Sequence, residues 1–138
     1  MKKIIFSFFY LFFISSVYAS SQYLEETLEL IYDGKNDEAI TLIKNNLTEN
    51  KSADNYVLMG IAYLEKNDAK NAEENFKKAL LLDKKTVSAH YMLAMMYEKE
   101  KRYEQSIEKW EKICKYTKNK KLKNLAVKHL EQLKGITQ

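Results

Sequence analysis

Residues 53–86 read ADNYVLMGIAYLEKNDAKNAEENFKKALLLDKKT, and residues 87–120 read VSAHYMLAMMYEKEKRYEQSIEKWEKICKYTKNK. Set one above the other at a shift of 34 residues, Tyr56 falls on His90, Met59-Gly60 on Leu93-Ala94, Tyr63 on Tyr97, Ala72 on Ser106, Phe76 on Trp110 and Ala79 on Ile113. Apolar residues recur at helical spacing twice in each unit, over Tyr56 to Leu64 and Ala72 to Leu82, then over Val87 to Tyr97 and Tyr103 to Cys114. That period is the mark of a helix with one buried stripe, so each unit reads as a pair of helices. The breaks Lys66-Asn67-Asp68 and Glu98 to Arg102 are so short that each pair must be an antiparallel hairpin. Gly60 interrupts the first helix, where glycine costs about 1 kcal/mol relative to alanine. The chain holds only three glycines and no proline. A close helix crossing accounts for it, with Gly60 and Ala72 giving each other clearance.

The same period extends outward through Tyr23 to Tyr32, Ala39 to Leu47 and Leu122 to Leu133, separated by short polar clusters such as Asp33-Gly34-Lys35-Asn36 and Lys118-Asn119-Lys120. Gly34 and Gly135 fall just after helical stretches, where a left-handed terminal residue is useful. The predicted class is all-α. A length of 138 residues, 46% hydrophobic and 30% charged, allows one small domain with a modest core.

The repeated places resemble the tetratricopeptide repeat: an aromatic, then Leu-Gly, then Tyr on the first helix, followed by Ala, Phe and Ala on the second. Tyr56, Gly60, Tyr63, Ala72, Phe76 and Ala79 carry that signature in residues 53–86, with Lys84 where a proline is usual, and Ala94, Tyr97 and Trp110 carry it in 87–120. Residues 20–52 form a degenerate unit. Ala39 and Ile43 suit its second helix, but Glu26-Thr27 stand where Leu-Gly would be, so its register is open by about one residue. Residues 121–134 supply a terminal capping helix, with Leu122, Leu125, Ala126, Leu130 and Leu133 as its buried stripe. The resemblance implies a short right-handed α-solenoid of about three helix pairs plus the cap, covering the chain from Ser20 on.

Ahead of that domain, Lys2 and Lys3 precede the apolar run Ile4 to Ile14, and Val17-Tyr18-Ala19 places small residues as a cleavage site requires. Residues 1–19 are expected to be a secretory signal cut after Ala19, which sends the domain to the periplasm or outside the cell. The alternative is a retained anchor, although the run is shorter than the roughly 20 apolar residues of a spanning helix.

By the resemblance, the second, fifth, ninth and twelfth places of each repeat line a concave groove that holds segments of partner proteins. Here those places give Leu24, Leu28 and Ile31, then Asp54, Val57, Ile61 and Leu64, then Ser88, Tyr91, Met95 and Glu98. A carboxylate-gripping version of the groove needs Lys, Arg and Asn there; Val57, Ile61, Tyr91 and Met95 suit an amphipathic or extended hydrophobic segment instead. The expected function is that of an exported adaptor or scaffold, as similar exported repeat proteins are in envelope assembly. The alternative is a subunit that self-associates through the groove or its basic end.

Charge is uneven. Residues 20–100 hold 10 Lys or Arg against 15 Asp or Glu, whereas 101–138 hold 11 against 4. The basic C-terminal end reads as a solvated cap, or as a contact for an acidic partner, a membrane surface or another copy. Nucleic acid is not expected for an exported chain. No catalytic residue, metal site or cofactor is expected: His90 and His129 lie on different helices, His90 at an aromatic packing place, and no Gly-rich phosphate loop occurs. The single cysteine, Cys114, reads as a small buried hydrophobe, or as one half of an intermolecular disulfide.

Overall fold

The computed structural model describes residues 22–137; the expected export signal, residues 1–19, lies outside them. The helices are α1 (residues 22–32), α2 (Asn36–Glu49), α3 (Ala53–Glu65), α4 (Ala69–Leu82), α5 (Val87–Lys99), α6 (Tyr103–Tyr116) and α7 (Lys120–Thr137), and no strand occurs among the described residues. The substantial contacts join consecutive helices, so the chain is an all-α stack of hairpins in which each unit rests on the next. The last helix runs three residues beyond the expected 134, and Gly135 lies within it rather than after it. Its position in an exposed final turn makes the missing side chain of little consequence.

The hairpin turns share one geometry. Gly34, Asn67 and Lys101 each take positive φ, at 75°, 59° and 60°. Each donates its N–H three residues back, to Ile31, Leu64 and Glu98, while the following residue donates five back, to Leu30, Tyr63 and Tyr97. This double closure satisfies carbonyls that the helix end leaves open and turns the chain sharply. Ser52 and Asp68 cap α3 and α4 by accepting from the N–H of Asn55 and Asn71.

Three apolar clusters form along the stack. Ile40, Ile43, Leu58, Met59 and Ala62 join α2 to α3; Ala72, Phe76, Ala79, Leu93 and Tyr97 join α3–α4 to α5; Ala94, Trp110, Ile113, Ala126 and Leu133 join α5–α6 to α7. The clearance at Gly60 differs from the sequence expectation. An added Cβ would stand 2.5–2.8 Å from the ring of Phe76, whose carbons and not those of Ala72 are its nearest neighbours. The ring is large enough to reach across the crossing, and only a hydrogen at residue 60 leaves it room. Thr27, fully buried, stands 33 residues before Gly60, which sets the register of the degenerate first unit.

A polar clamp ties the second hairpin to the third. Glu73 of α4 receives Arg102 through both guanidinium ends at 2.9 and 3.0 Å and the Tyr97 hydroxyl at 2.9 Å, while the Arg102 guanidinium lies 4.1 Å from the centre of the Tyr97 ring. Chiefly through Arg102, with Lys77 and Tyr97 adding to it, these donors hold the Glu73 carboxyl down at about 2.

Three outcomes follow from this packing. Gly60→Ala gains helix propensity but must displace the Phe76 ring, so it lowers stability by about 1–2 kcal/mol, and Phe76→Leu in that background restores part of the loss in a denaturant titration. Lys101→Gly relieves a left-handed side-chain clash and raises stability by about 0.5–1 kcal/mol, the gain being limited by the freer unfolded chain. Because Glu73 titrates near 2 when folded, below its ordinary 4.5, its contribution is complete above about 4.5 and fades as the pH falls toward 2. Glu73→Gln therefore costs about 1–2 kcal/mol at neutral pH, a range that allows for solvent around Arg102, and the difference from the parent shrinks in melts run across that acid window.

Candidate partner-binding groove

The first helices of successive hairpins lie side by side, and their facing residues enclose an open apolar pocket of about 400 Å³. Val57 and Ile61 from α3, Val87, Ser88, Tyr91 and Met92 from α5, and Leu122 from α7 line it. Spacings of three and four residues place these side chains on one face of each helix. Val57, only 6% exposed, packs into the central core and makes the floor; Ile61, Tyr91 and Met92 are half-buried walls. Tyr91 is held edge-on to Trp110, ring centres 5.6 Å apart at 87°.

The structure brings Val57, Ile61, Ser88 and Tyr91 together, while Leu24, Leu28, Ile31, Leu64, Met95 and Glu98 fall outside the pocket. Leu24 and Leu28 on α1 and Met95 on α5 are exposed beyond the pocket. Ile31 packs against the cluster between α2 and α3, and Leu64 against the central one. Glu98 is occupied within the protein. Its Oε1 accepts from Trp110 Nε1 at 2.5 Å and lies 2.9 Å from His129 Nδ1, and the His129 ring stacks on Trp110 at 4.3 Å. Glu98 thus fastens α7 to α5 and α6, because the buried indole N–H needs an acceptor and no backbone carbonyl is free within the helix.

Leu122 was not among the expected groove residues. Carrying the 34-residue shift one unit further would have found it, since Ser88, Tyr91, Met95 and Glu98 map onto Leu122, Leu125, His129 and Gln132. Gln132 and Glu98 do share a second depression, of about 420 Å³, with Tyr103, Leu133 and Ile136. The last helix therefore contributes to the groove as a first helix of a further, unfinished repeat.

His90 is buried, and its Nε2–H donates to the Lys84 carbonyl at 2.9 Å; burial holds its pKa below the usual histidine value, so it packs as a neutral ring. Cys114 is half-buried against the cluster of α5 to α7. Among the described residues no group of three His, Cys, Asp or Glu side chains could hold a metal ion.

Residues 53–86 and 87–120 each match the tetratricopeptide repeat family. The two matches follow one another without a gap over 53–120. No curated protein matches the chain in sequence. Solved structures share its fold. The TPR domain of Arabidopsis OM64 aligns with 83% of this chain and 95% of its own length, at 23% identity and a TM-score of 0.67. The Yersinia enterocolitica type III secretion chaperone SycD, solved with a peptide of the translocator YopD, aligns with 87% of this chain and 95% of its own, at 12% identity and a TM-score of 0.75. The second TPR domain of human RPAP3, solved with an HSP70 peptide, aligns with 81% and 92%, at 18% identity and a TM-score of 0.66.

Proposed function

We propose that this protein is an exported, non-catalytic adaptor that holds an apolar or amphipathic segment of a partner protein along its concave face. The observation that carries the reading is the pocket between α3, α5 and α7, whose walls Ile61, Tyr91, Met92 and Leu122 offer carbon surface with almost no polar group. Such a surface rewards burial of an apolar side chain at roughly 25 cal/mol per Å², and a 400 Å³ hollow accommodates a large one. A charged peptide terminus would find no cation among Val57, Ile61 and Tyr91. That SycD and RPAP3 were each solved with a peptide supports peptide capture as a use of this fold. Export rests on residues 1–19 and would make the partner a protein of the cell envelope or of its assembly machinery, met in the periplasm. The competing reading, that a second copy fills the groove, follows from the same apolar walls.

Ile61→Ser with Tyr91→Ser separates these readings. Both residues are half-buried, so the double variant loses less stability than Phe76→Ala, which opens a cavity in the core worth about 3–5 kcal/mol. A photo-reactive residue at position 92 is expected to crosslink a partner from the envelope fraction, and the double variant to lose that product while keeping a cooperative melt. A crosslinked homodimer, dispersed by the same substitutions in sedimentation, makes the groove a self-assembly surface. Unfolding as severe as that of Phe76→Ala removes the groove altogether.

A further inference from the structure

Antiparallel succession puts the α2–α3, α4–α5 and α6–α7 connections on one edge of the stack and the three left-handed turns on the other. Local contacts join the first edge into one surface. Lys51 of the α2–α3 connection shares a shallow depression with Tyr56, Lys78, Leu81 and Leu82. Lys84 of the α4–α5 connection is bonded to His90, whose ring lies 5.9 Å from Tyr116 at the end of α6. The chain enters from this side too: Tyr23 at the start of α1 donates to Asn55, which in turn donates to the Asn50 carbonyl beside Lys51.

The two edges differ in charge. Counting each connection with four residues on either side, the first edge (46–56, 79–90, 113–123) holds 8 lysines against 3 acidic residues, net +5. The other (29–39, 62–72, 96–106) holds 6 basic against 9 acidic residues, net −3. On that acidic edge Lys35, Lys66 and Arg102 are paired with carboxylates, whereas none of the 8 lysines of the basic edge joins an ion pair among the described residues. In the middle of this uncompensated charge Leu81 stands 86% exposed and Leu82 45%. An acidic protein or a nucleic acid would meet the lysines and leave both leucines in water. A lipid surface meets both, with phosphates for the lysines and the interfacial layer for the leucines.

We propose that this edge rests on an anionic phospholipid surface, with Leu81 and Leu82 entering the interfacial layer and Lys84, Lys85 and Lys118 facing the headgroup phosphates. Val87, Ser88 and Leu122 of the groove border this edge, but Ile61, Tyr91 and Met92 lie outside it, so variants at Ile61 and Tyr91 test the groove reading separately. The test is flotation of the chain from Ser20 on, which contains every residue of the three cores, with vesicles of phosphatidylcholine alone or mixed with phosphatidylglycerol. Binding is expected only to the mixed vesicles and is expected to weaken as salt screens the charges. A surface lysine is worth about fivefold in partition, so Lys84→Glu, Lys85→Glu and Lys118→Glu together lower it by about 100-fold or more. Leu81→Ser with Leu82→Ser lowers it at constant charge, and a thermal melt of each variant matching the parent excludes unfolding. Equal binding to both vesicle types, no binding to either, or loss only through Ile61→Ser with Tyr91→Ser overturns the proposal. Retention on polyuridylate without flotation, or a salt-sensitive dimer formed without lipid, assigns the edge to those partners and overturns it as well.

Discussion

The contact on which the stack depends is the ring of Phe76 lying over the bare α-carbon of Gly60. A hairpin of two helices cannot bury its apolar stripe alone, so it must present a flat, closely crossed face to the next. At this crossing the second helix gives a large ring and the first gives nothing, which brings α3 and α4 close while Phe76, Ala72 and Ala79 remain fully buried. Leu93 and Tyr97 of the next hairpin pack into the same cluster. The stack therefore propagates through a repeated exchange of size between paired positions. In the third hairpin Trp110 fills the place of Phe76, and the small residue opposite becomes Ala94.

The outer faces of α1 and α7 differ at the same positions. In α7 the places of Leu93, Ala94 and Tyr97 are held by Val127, Lys128 and Glu131, all exposed, so this face carries two charges where the inner hairpins carry core. In α1 the places of Leu58 and Ala62, which dock α3 onto α2, are held by Glu25 and Glu29, also exposed. Apart from Val127, both outer faces thus carry charged residues at positions that are buried in the middle, which disfavours the stacking of copies.

Much of this was legible in the residues because helical period, short breaks and a 34-residue shift are local facts. What was not legible depended on side chains that travel. Ala72 is small and opposite in register, yet the longer Phe76 reaches the gap first. Asn67 and Lys101 take the left-handed turn that Gly34 signals openly, because the closing hydrogen bonds outweigh a modest backbone penalty at residues no glycine marks. Glu98 sits at a groove place by count, but an indole N–H and an imidazole on two other helices claim its carboxylate. Leu122 belongs to the groove only because α7 continues the repeat geometry after the repeat signature has ended.

The groove and the core are consequently not independent structures. Val57 is at once the floor of the pocket and a member of the central cluster, and Tyr91 is fixed by the Trp110 that Glu98 anchors. The stacked His129 ring then sets how α7 lies against α5, and through α7 the height of the Leu122 wall. On the proposed reading, a partner segment would meet a surface already ordered by packing, so little side-chain entropy would be lost on binding. Ile61 and Met92 in the walls pack against the same central cluster, and Met95 stands exposed beyond them. On the same reading, the unbranched Met92 would let one pocket accept apolar side chains of several shapes.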